Sequence, residues 1–309
     1  MQDSPQSPQG AGASLRIGFI GLGAMGWPMA LRLREAGHEL AAWARGAETA
    51  RRAGQAGIAL AGSPAELAAG AQVLVSNVTS TEDVEQVLLG AQGAVHGARP
   101  GLLCIDHSTI APQGARRIAA QLASRAVGFV DAPVSGGERG AREGTLSIMA
   151  GGTPPDFERA LPLLRLHGPT VTYIGPPGSG QVAKLCNQLV QVVNIQGIAE
   201  AMRLAAAEGA PLERVLQALG AGFAGSRMLD LMGPKMAARD FAAGIQARLH
   251  EKDFGLLEQA ADDAGLELPA LRLVHAQLRA LVRAGWGRDD TSSLLRVLES
   301  GEAPHGASD

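Results

Sequence analysis

Short apolar runs alternate with longer amphipathic stretches through the first half of the chain. LRIGFI (15–20) is a short, β-leaning apolar run that ends in a cluster of glycines. A helical period from Trp27 to Ala36 follows, Gly37 stops it, and Glu39 to Trp43 makes the next strand-like run. A strand–helix–strand unit of about 30 residues is the size of a parallel crossover. Further on, Ser63-Pro64-Ala65-Glu66 places a capping residue, a proline at the first helical position and a glutamate three residues after the cap. Strands are expected at Val73 to Asn77, Leu102 to Asp106, near Phe129 to Asp131, Leu146 to Ala150 and Val171 to Ile174. Helices are expected at Glu82 to Leu89, Ala111 to Arg125 and Asp156 to Leu166. Such alternation predicts an α/β fold with a doubly wound, mostly parallel sheet.

After Pro176-Pro177-Gly178-Ser179-Gly180 only helical periods remain, to about Ser300. The expected division is a tail at 1–14, an α/β domain at 15–177, an all-α domain at 178–300 and a tail at 301–309. A length of 309 residues accommodates two cores, and 46% hydrophobic against 18% charged residues fits a globular chain. The net charge of −3 offers no basic field, so nucleic acid is not expected as a partner. No apolar run of about 20 residues occurs, and the N-terminus lacks a signal pattern, so a cytoplasmic protein without a membrane partner is expected. Two cysteines, Cys104 and Cys186, suit neither a disulfide framework nor a zinc site, and no metal is expected. The Ala- and Gly-rich helical half invites subunit packing, as a homodimer or homotetramer.

The turn Gly21-Leu22-Gly23-Ala24-Met25-Gly26 matches G-x-G-x-x-G between a strand and a helix. In such a turn the first glycine permits tight reversal, the second lets backbone approach a pyrophosphate, and the third lets the helix lie on the strand. Where the next strand ends, an NAD enzyme usually carries a carboxylate for the ribose. This chain has Trp43-Ala44-Arg45-Gly46, and Arg45 can pair with a 2′-phosphate. NADP(H) is therefore the preferred cofactor, with NAD(H) possible.

From Gly180 to Ala207 a helix reads as apolar around most of its circumference, which predicts burial between domains. Lys184, Asn187, Gln191 and Asn194 draw one polar line along it. Buried polar groups cost about 2–7 kcal/mol each unless partnered. The line reads either as a structural hydrogen-bond network or as a lysine aimed at a cleft with Asn187 holding it. Ser135, Gly136 and Gly137, in DAPVSGG after a strand, offer donors suited to a carboxylate or form an ordinary turn.

GFIGLGAMGWPMA resembles the N-terminal signature of the β-hydroxyacid dehydrogenase family, which includes 3-hydroxyisobutyrate dehydrogenases and 2-hydroxy-3-oxopropionate reductases. DHSTIAP (106–112), DAPVSGG, GTLSIMAGG (144–152), GSGQVAKLCNQ (178–188), HEKDF (250–254) and WGRDDTSS (286–293) resemble further elements of that family, in its order. The resemblance implies a Rossmann domain followed by an all-α domain. It carries over Lys184 as catalytic lysine, Asn187 as its support, and Ser135, Gly136 and Gly137 as substrate binders. Thr109 falls on the nicotinamide side, and Lys252 reaches substrate and counts with the cofactor residues as well. Three positions depart from the family pattern: Asn77 in VSNV lacks a Met-Leu-Pro-like run, His107 replaces a small or apolar residue, and Ile245 stands for an aromatic.

The implied chemistry is hydride transfer between a nicotinamide and a small carboxylate-bearing semialdehyde or hydroxyacid. Lys184 would move the proton, its pKa lowered by burial and by Lys252. An imine reductase is the alternative enzyme, and the lysine argues against it. A non-catalytic NADP(H)-binding scaffold or sensor would have no need of Lys184, Asn187 and Lys252.

Overall fold

In the computed structural model, which describes residues 14–301, RIGFI forms β1 (Arg16–Ile20) with four of its five residues buried. A strand covered on both faces belongs in the middle of a parallel sheet. α1 (Gly26–Glu35) returns to β2 (Glu39–Trp43), which pairs in parallel with β1, Ile20 opposite Trp43. α2 (Ala47–Gln55) and β3 (Ala59–Leu60) are additions to the expected elements: α2 buries only Ala53, and β3 is two exposed residues. α3 (Pro64–Gly70) starts at the capping sequence, Ser63 Oγ accepting the Glu66 N–H at 3.1 Å.

β4 (Val73–Ser76), α4 (Thr81–Leu89), β5 (Leu103–Asp106), α5 (Pro112–Ala123) and β6 (Gly128–Asp131) follow, each within two residues of expectation. A short β7 (Val134–Ser135) and α6 (Gly137–Glu143) stand where the pattern suggests only a turn. β8 (Ser147–Gly152), α7 (Pro154–His167) and β9 (Thr170–Gly175) complete the sheet. Its order is β3-β2-β1-β4-β5-β6-β8-β7 with β9 beside β8, parallel except where β8 meets β6 and β7. Phe19, Met29, Leu33, Ile105 and Val130 lie at the centre of its core.

The rest is helical: α8 (Ser179–Ala207), α9 (Leu212–Ala221), α10 (Arg227–Ala238), α11 (Ala247–Asp263), α12 (Pro269–Leu281) and α13 (Leu294–Ser300). Leu185, Val192, Ile195, Phe254 and Leu278 anchor a second core. α8 is not buried all round as its composition suggests. Val182, Val190 and Leu204 are 42%, 70% and 64% exposed, because neighbouring helices pack against its other side.

The chain divides into two compact units. One runs through Ser108 and resumes at Gln113–Gly180; the other is Thr109–Pro112 with everything from Gln181 onward. Thr109–Pro112 groups with the helices because the Ile110 N–H donates to Gln181 Oε1 (3.0 Å) and Lys252 Nζ donates to the Thr109 carbonyl (2.8 Å). Of the expected tails, 1–14 and 301–309, all but Ser14 and Gly301 lie outside the described residues. Among the described residues no helix is long and apolar enough to cross a membrane.

Candidate active site

The sheet order reverses direction between β1 and β4, and open α/β sheets bind ligands at such a switch point. The glycine turn leaves β1 there. Gly21 has φ +93°, and a Cβ on it would stand 2.1 Å from the Asn77 carbonyl oxygen. A Cβ on Gly26 would stand 1.9 Å from the Gly21 carbonyl oxygen. A Cβ on Gly23 would meet nothing within 4 Å. The fold itself therefore demands the first and third glycines, while the second borders open space. Leu22 is buried, and Ala24 and Met25 lead into α1, where Met25 provides no side-chain cap. Uncapped N–H groups at a helix start suit a pyrophosphate, so the residues fit a dinucleotide.

Arg45 stands two residues beyond Trp43, at the end of the sheet that carries the turn. Its side chain is 83% exposed, with Nη1 3.3 Å from Asp83 Oδ1 on α4. Asn77 belongs to the framework of the turn: its N–H donates to the Ile20 carbonyl (2.9 Å) and its Nδ2 to Met29 Sδ (3.5 Å). Ser76 and Ser108, which the pattern did not single out, both donate to Asp106 Oδ1 at 2.7 Å and tie the ends of β4 and β5 together.

His107 is a core group of this unit. Its Nδ1 lies 2.7 Å from the Ala132 carbonyl oxygen, and its ring meets His167 edge-on at 5.2 Å. Burial pushes its pKa down to about 4, against the pull of the Ala132 carbonyl. Ser135 ends β7, half-buried, and Gly136 and Gly137 follow with φ +136° and +63°. Gly137 borders open space. The G-x-G before Lys184 has a structural cause. Gly178, at φ +87°, donates its N–H to Asp131 Oδ1 at 2.7 Å. A Cβ on Gly180 would meet the Met149 and Asp131 carbonyl oxygens at 2.5 and 2.7 Å.

In the helical unit Lys184 is 7% exposed. Its Nζ donates to Gln188 Oε1 at 2.9 Å, four residues on and one turn along α8. The hydrogen-bond partner of the lysine is thus Gln188 rather than Asn187, whose Nδ2 donates to the same Oε1 (2.9 Å) and to Gln191 Oε1 (3.4 Å). Asn194 continues the polar line, accepting from Ser226 Oγ at 2.9 Å. Gln188 Nε2 donates to Asp253 Oδ2 at 2.7 Å. Asp253 Oδ1 lies 2.9 Å from Lys252 Nζ, which also reaches the Thr109 carbonyl. Burial lowers the Lys184 pKa to about 8; Asp253 draws it up and Lys252 presses it down.

Ile245 lies between α10 and α11, gripped by the C-terminal element. Asp290 Oδ2 accepts the N–H groups of Gly244 and Ile245 (2.8 and 3.3 Å), and Thr291 Oγ1 donates to the Ile245 carbonyl at 3.4 Å. His250 Nδ1 lies 2.7 Å from Thr291 Oγ1, and burial pushes its pKa down to about 4. Among the described residues no cluster of three or more His, Cys, Asp or Glu side chains is placed to hold a metal.

A glycine turn at a sheet's switch point, with a helical unit built around a buried lysine, is the framework of a nicotinamide-dependent dehydrogenase. Residues 16–175 match the NAD binding domain of 6-phosphogluconate dehydrogenase. Residues 178–298 match the model described as NAD-binding of NADP-dependent 3-hydroxyisobutyrate dehydrogenase. The chain is 39% identical over 287 residues to 2-hydroxy-3-oxopropionate reductase of Escherichia coli K12, covering 92% of this chain and 97% of that one. It is 35% identical over 291 residues to the NAD-dependent L-serine dehydrogenase of Pseudomonas aeruginosa, covering 92% and 98%. The solved structure of Mycobacterium tuberculosis 3-hydroxyisobutyrate dehydrogenase with L-serine superimposes with a TM-score of 0.86 at 31% identity, covering 93% and 99%. The chain belongs to the β-hydroxyacid dehydrogenase family. It is an NAD(P)-dependent oxidoreductase that moves a hydride between a nicotinamide cofactor and a small β-hydroxyacid or semialdehyde.

Proposed function

We propose that this enzyme reduces a small carboxylate-bearing semialdehyde of the 2-hydroxy-3-oxopropionate type, with Lys184 as proton donor and NADPH as preferred cofactor. The observation that carries this reading is Lys184 itself: buried, bonded to a neutral amide, with a pKa near 8. Such a group holds or releases a proton close to neutral pH, as a general acid and base must. The bound cofactor supplies the hydride. Lys184 protonates the oxygen of the carbonyl being reduced and takes the same proton back in the oxidative direction.

Asn187 supports this arrangement through Gln188, and Thr109 and Lys252 serve the cofactor or substrate from the helical unit. Ser135 and the N–H groups of Gly136 and Gly137 offer donors to a substrate carboxylate. Residues 21–26 take the pyrophosphate, and Arg45 takes the 2′-phosphate. The substrate class is favoured by the 39% identity to a 2-hydroxy-3-oxopropionate reductase.

The test is Lys184→Ala, assayed on a panel of semialdehydes and hydroxyacids with both cofactors. Loss of turnover by about 10²–10⁴-fold with NADPH binding retained is expected. Retention of more than about a tenth of wild-type kcat excludes Lys184 as the proton carrier.

A further inference from the structure

The sheet-bearing unit has a second recess, at the opposite end of β1 from the glycine turn. It has a volume of about 440 Å³ and lies where β1, β4 and β5 begin, beside the turn that enters β5 and the second turn of α7. Arg16 and Ile20 are the first and last of the five residues of β1, so about 13 Å separates this recess from the start of the glycine turn. Its apolar lining includes Val73 and Leu103, and its polar side chains are Arg16, Gln72, Arg99 and Arg159. Neither aspartate nor glutamate is among the residues that line it.

The bonds made around the recess occupy acceptors and leave donors. Arg16 Nε donates to the Gly70 carbonyl at 2.9 Å, and both Nη groups of its fork remain. The Arg16 N–H donates to Gln72 Oε1 at 3.0 Å, which commits the oxygen of that amide and leaves its Nε2 as a donor. Arg159 Nη2 donates to the Gly101 carbonyl at 2.6 Å and its Nη1 to Asp156 Oδ1 at 3.3 Å, so Arg159 anchors the turn Arg99-Pro100-Gly101. The Arg99 side chain is exposed and makes no hydrogen bond or ion pair with any described residue. Glu39 stands opposite Arg16 in the β1–β2 register and forms no ion pair with it.

Guanidinium groups gathered at one recess repel one another, and an anion seated among them removes that repulsion. The planar fork of arginine matches the oxygens of a phosphate or a carboxylate. The volume falls within the range of small-molecule sites, and the apolar residues offer contact to a carbon skeleton. We infer that this recess is a second ligand site of the enzyme, for a small multiply charged anion carrying phosphoryl or carboxylate groups, separate from the glycine turn and Arg45. Arg99 and Arg16 supply the charge, Gln72 adds a neutral donor, and Arg159 holds the turn that presents Arg99.

The test is isothermal titration of the whole enzyme with sodium pyrophosphate and with citrate, at constant ionic strength set by sodium chloride and with saturating NADPH to fill the cofactor site. Saturable binding of at least one of the two anions, one per chain, with a Kd below about 1 mM is expected. Binding of pyrophosphate alone assigns the site to phosphoryl groups, and binding of citrate alone to carboxylates. Arg99→Ala should weaken binding about fivefold or more and Arg99→Glu should abolish it, while Arg45→Ala leaves it unchanged. Melting temperatures without the anion serve as folding controls, and the Arg99 variants should match the wild type because that side chain holds no partner.

No saturable binding of either anion up to about 10 mM overturns the inference. So does binding that Arg99→Glu leaves intact, or that Arg45→Ala removes. If Arg99→Glu alone misfolds, Arg99→Ala decides; if neither variant folds, Arg99 is a structural residue and the inference is overturned. The titration needs no turnover, so its outcome is independent of the role given to Lys184.

Discussion

A side chain that passes a proton near neutral pH needs surroundings that do not favour its charge too strongly, and Lys184 has them. Burial is the largest influence on it, and Asp253 acts only at a distance. With a pKa near 8, the donor form is lost as pH rises through that value. Reduction of a semialdehyde should therefore fall above about pH 8 while oxidation of the hydroxyacid rises over the same range. Paired pH–kcat profiles in the two directions check this; profiles moving together would exclude a shared lysine. Arg45 is a second residue-scale case. Its contact with Asp83 is long and exposed, so it exchanges for a 2′-phosphate at little cost. The same exposure weakens the new pair, which limits the expected NADPH preference to about tenfold, or about 1.4 kcal/mol. Arg45→Ala should abolish that preference while leaving NADH affinity almost unchanged. Titrating both proteins with both reduced cofactors measures it, and tighter NADH binding by the wild type would refute the role.

At the scale of elements, the glycine turn separates what the fold requires from what a ligand requires. Ala at Gly21 places a methyl within 2.1 Å of the Asn77 carbonyl oxygen, and Ala at Gly26 one within 1.9 Å of the Gly21 carbonyl oxygen, so in both cases backbone must move. Both variants should lose several kcal/mol of stability, about the upper range for single substitutions. Gly23→Ala meets open space and should fold with near-normal stability yet bind NADPH at least tenfold more weakly. Melting temperatures and cofactor titrations of the three variants distinguish these outcomes; equal damage to stability in all three would refute the division. The strands around this turn were legible because fully buried parallel strands are continuous apolar runs, as VLVS and LCID are here. α2 and β3 were not, because elements at a sheet's edge bury almost nothing: the apolar side chains of α2 are all alanines, and β3 is two exposed residues. α6 has only Gly140 and Ala141 buried and is held by tertiary contacts instead. In the candidate site, Lys184 and Asn187 were legible as polar residues on an apolar helix. Gln188 was not, since glutamine is an ordinary helix former and its partner Asp253 is 65 residues away.

For the molecule as a whole, the buried histidines set the response to acid. Burial lowers the pKa of His107 and His250 to about 4 each and takes that of His167 well below its usual value. Unfolded, each titrates near 6.5. Between about pH 6.5 and 4 the unfolded chain therefore binds protons that the native protein refuses. Stability is full above that window and falls through it as pH drops. Each histidine contributes a slope of about 1.4 kcal/mol per pH unit once the unfolded side chain is protonated, about 4 kcal/mol per unit for the three. The lowered carboxyl groups of Asp290 and Glu299 act in the same sense at lower pH. His167 offers the cleanest test, because its Nδ1 has no hydrogen-bond partner among the described residues and leucine fills a similar volume. His107 would be a poorer choice, since its removal strands the Ala132 carbonyl. The unfolding free energy of the wild type should drop steeply from pH 6.5 to 5, and that of His167→Leu should drop less steeply by about 1.4 kcal/mol per pH unit. Urea titrations at half-unit pH steps give both slopes. Because His107 and His167 share the sheet-bearing unit, the difference belongs to the unfolding of that unit. A wild-type stability that is flat between pH 6.5 and 5, or parallel slopes for the two proteins, would show that His167 takes up its proton in the native state.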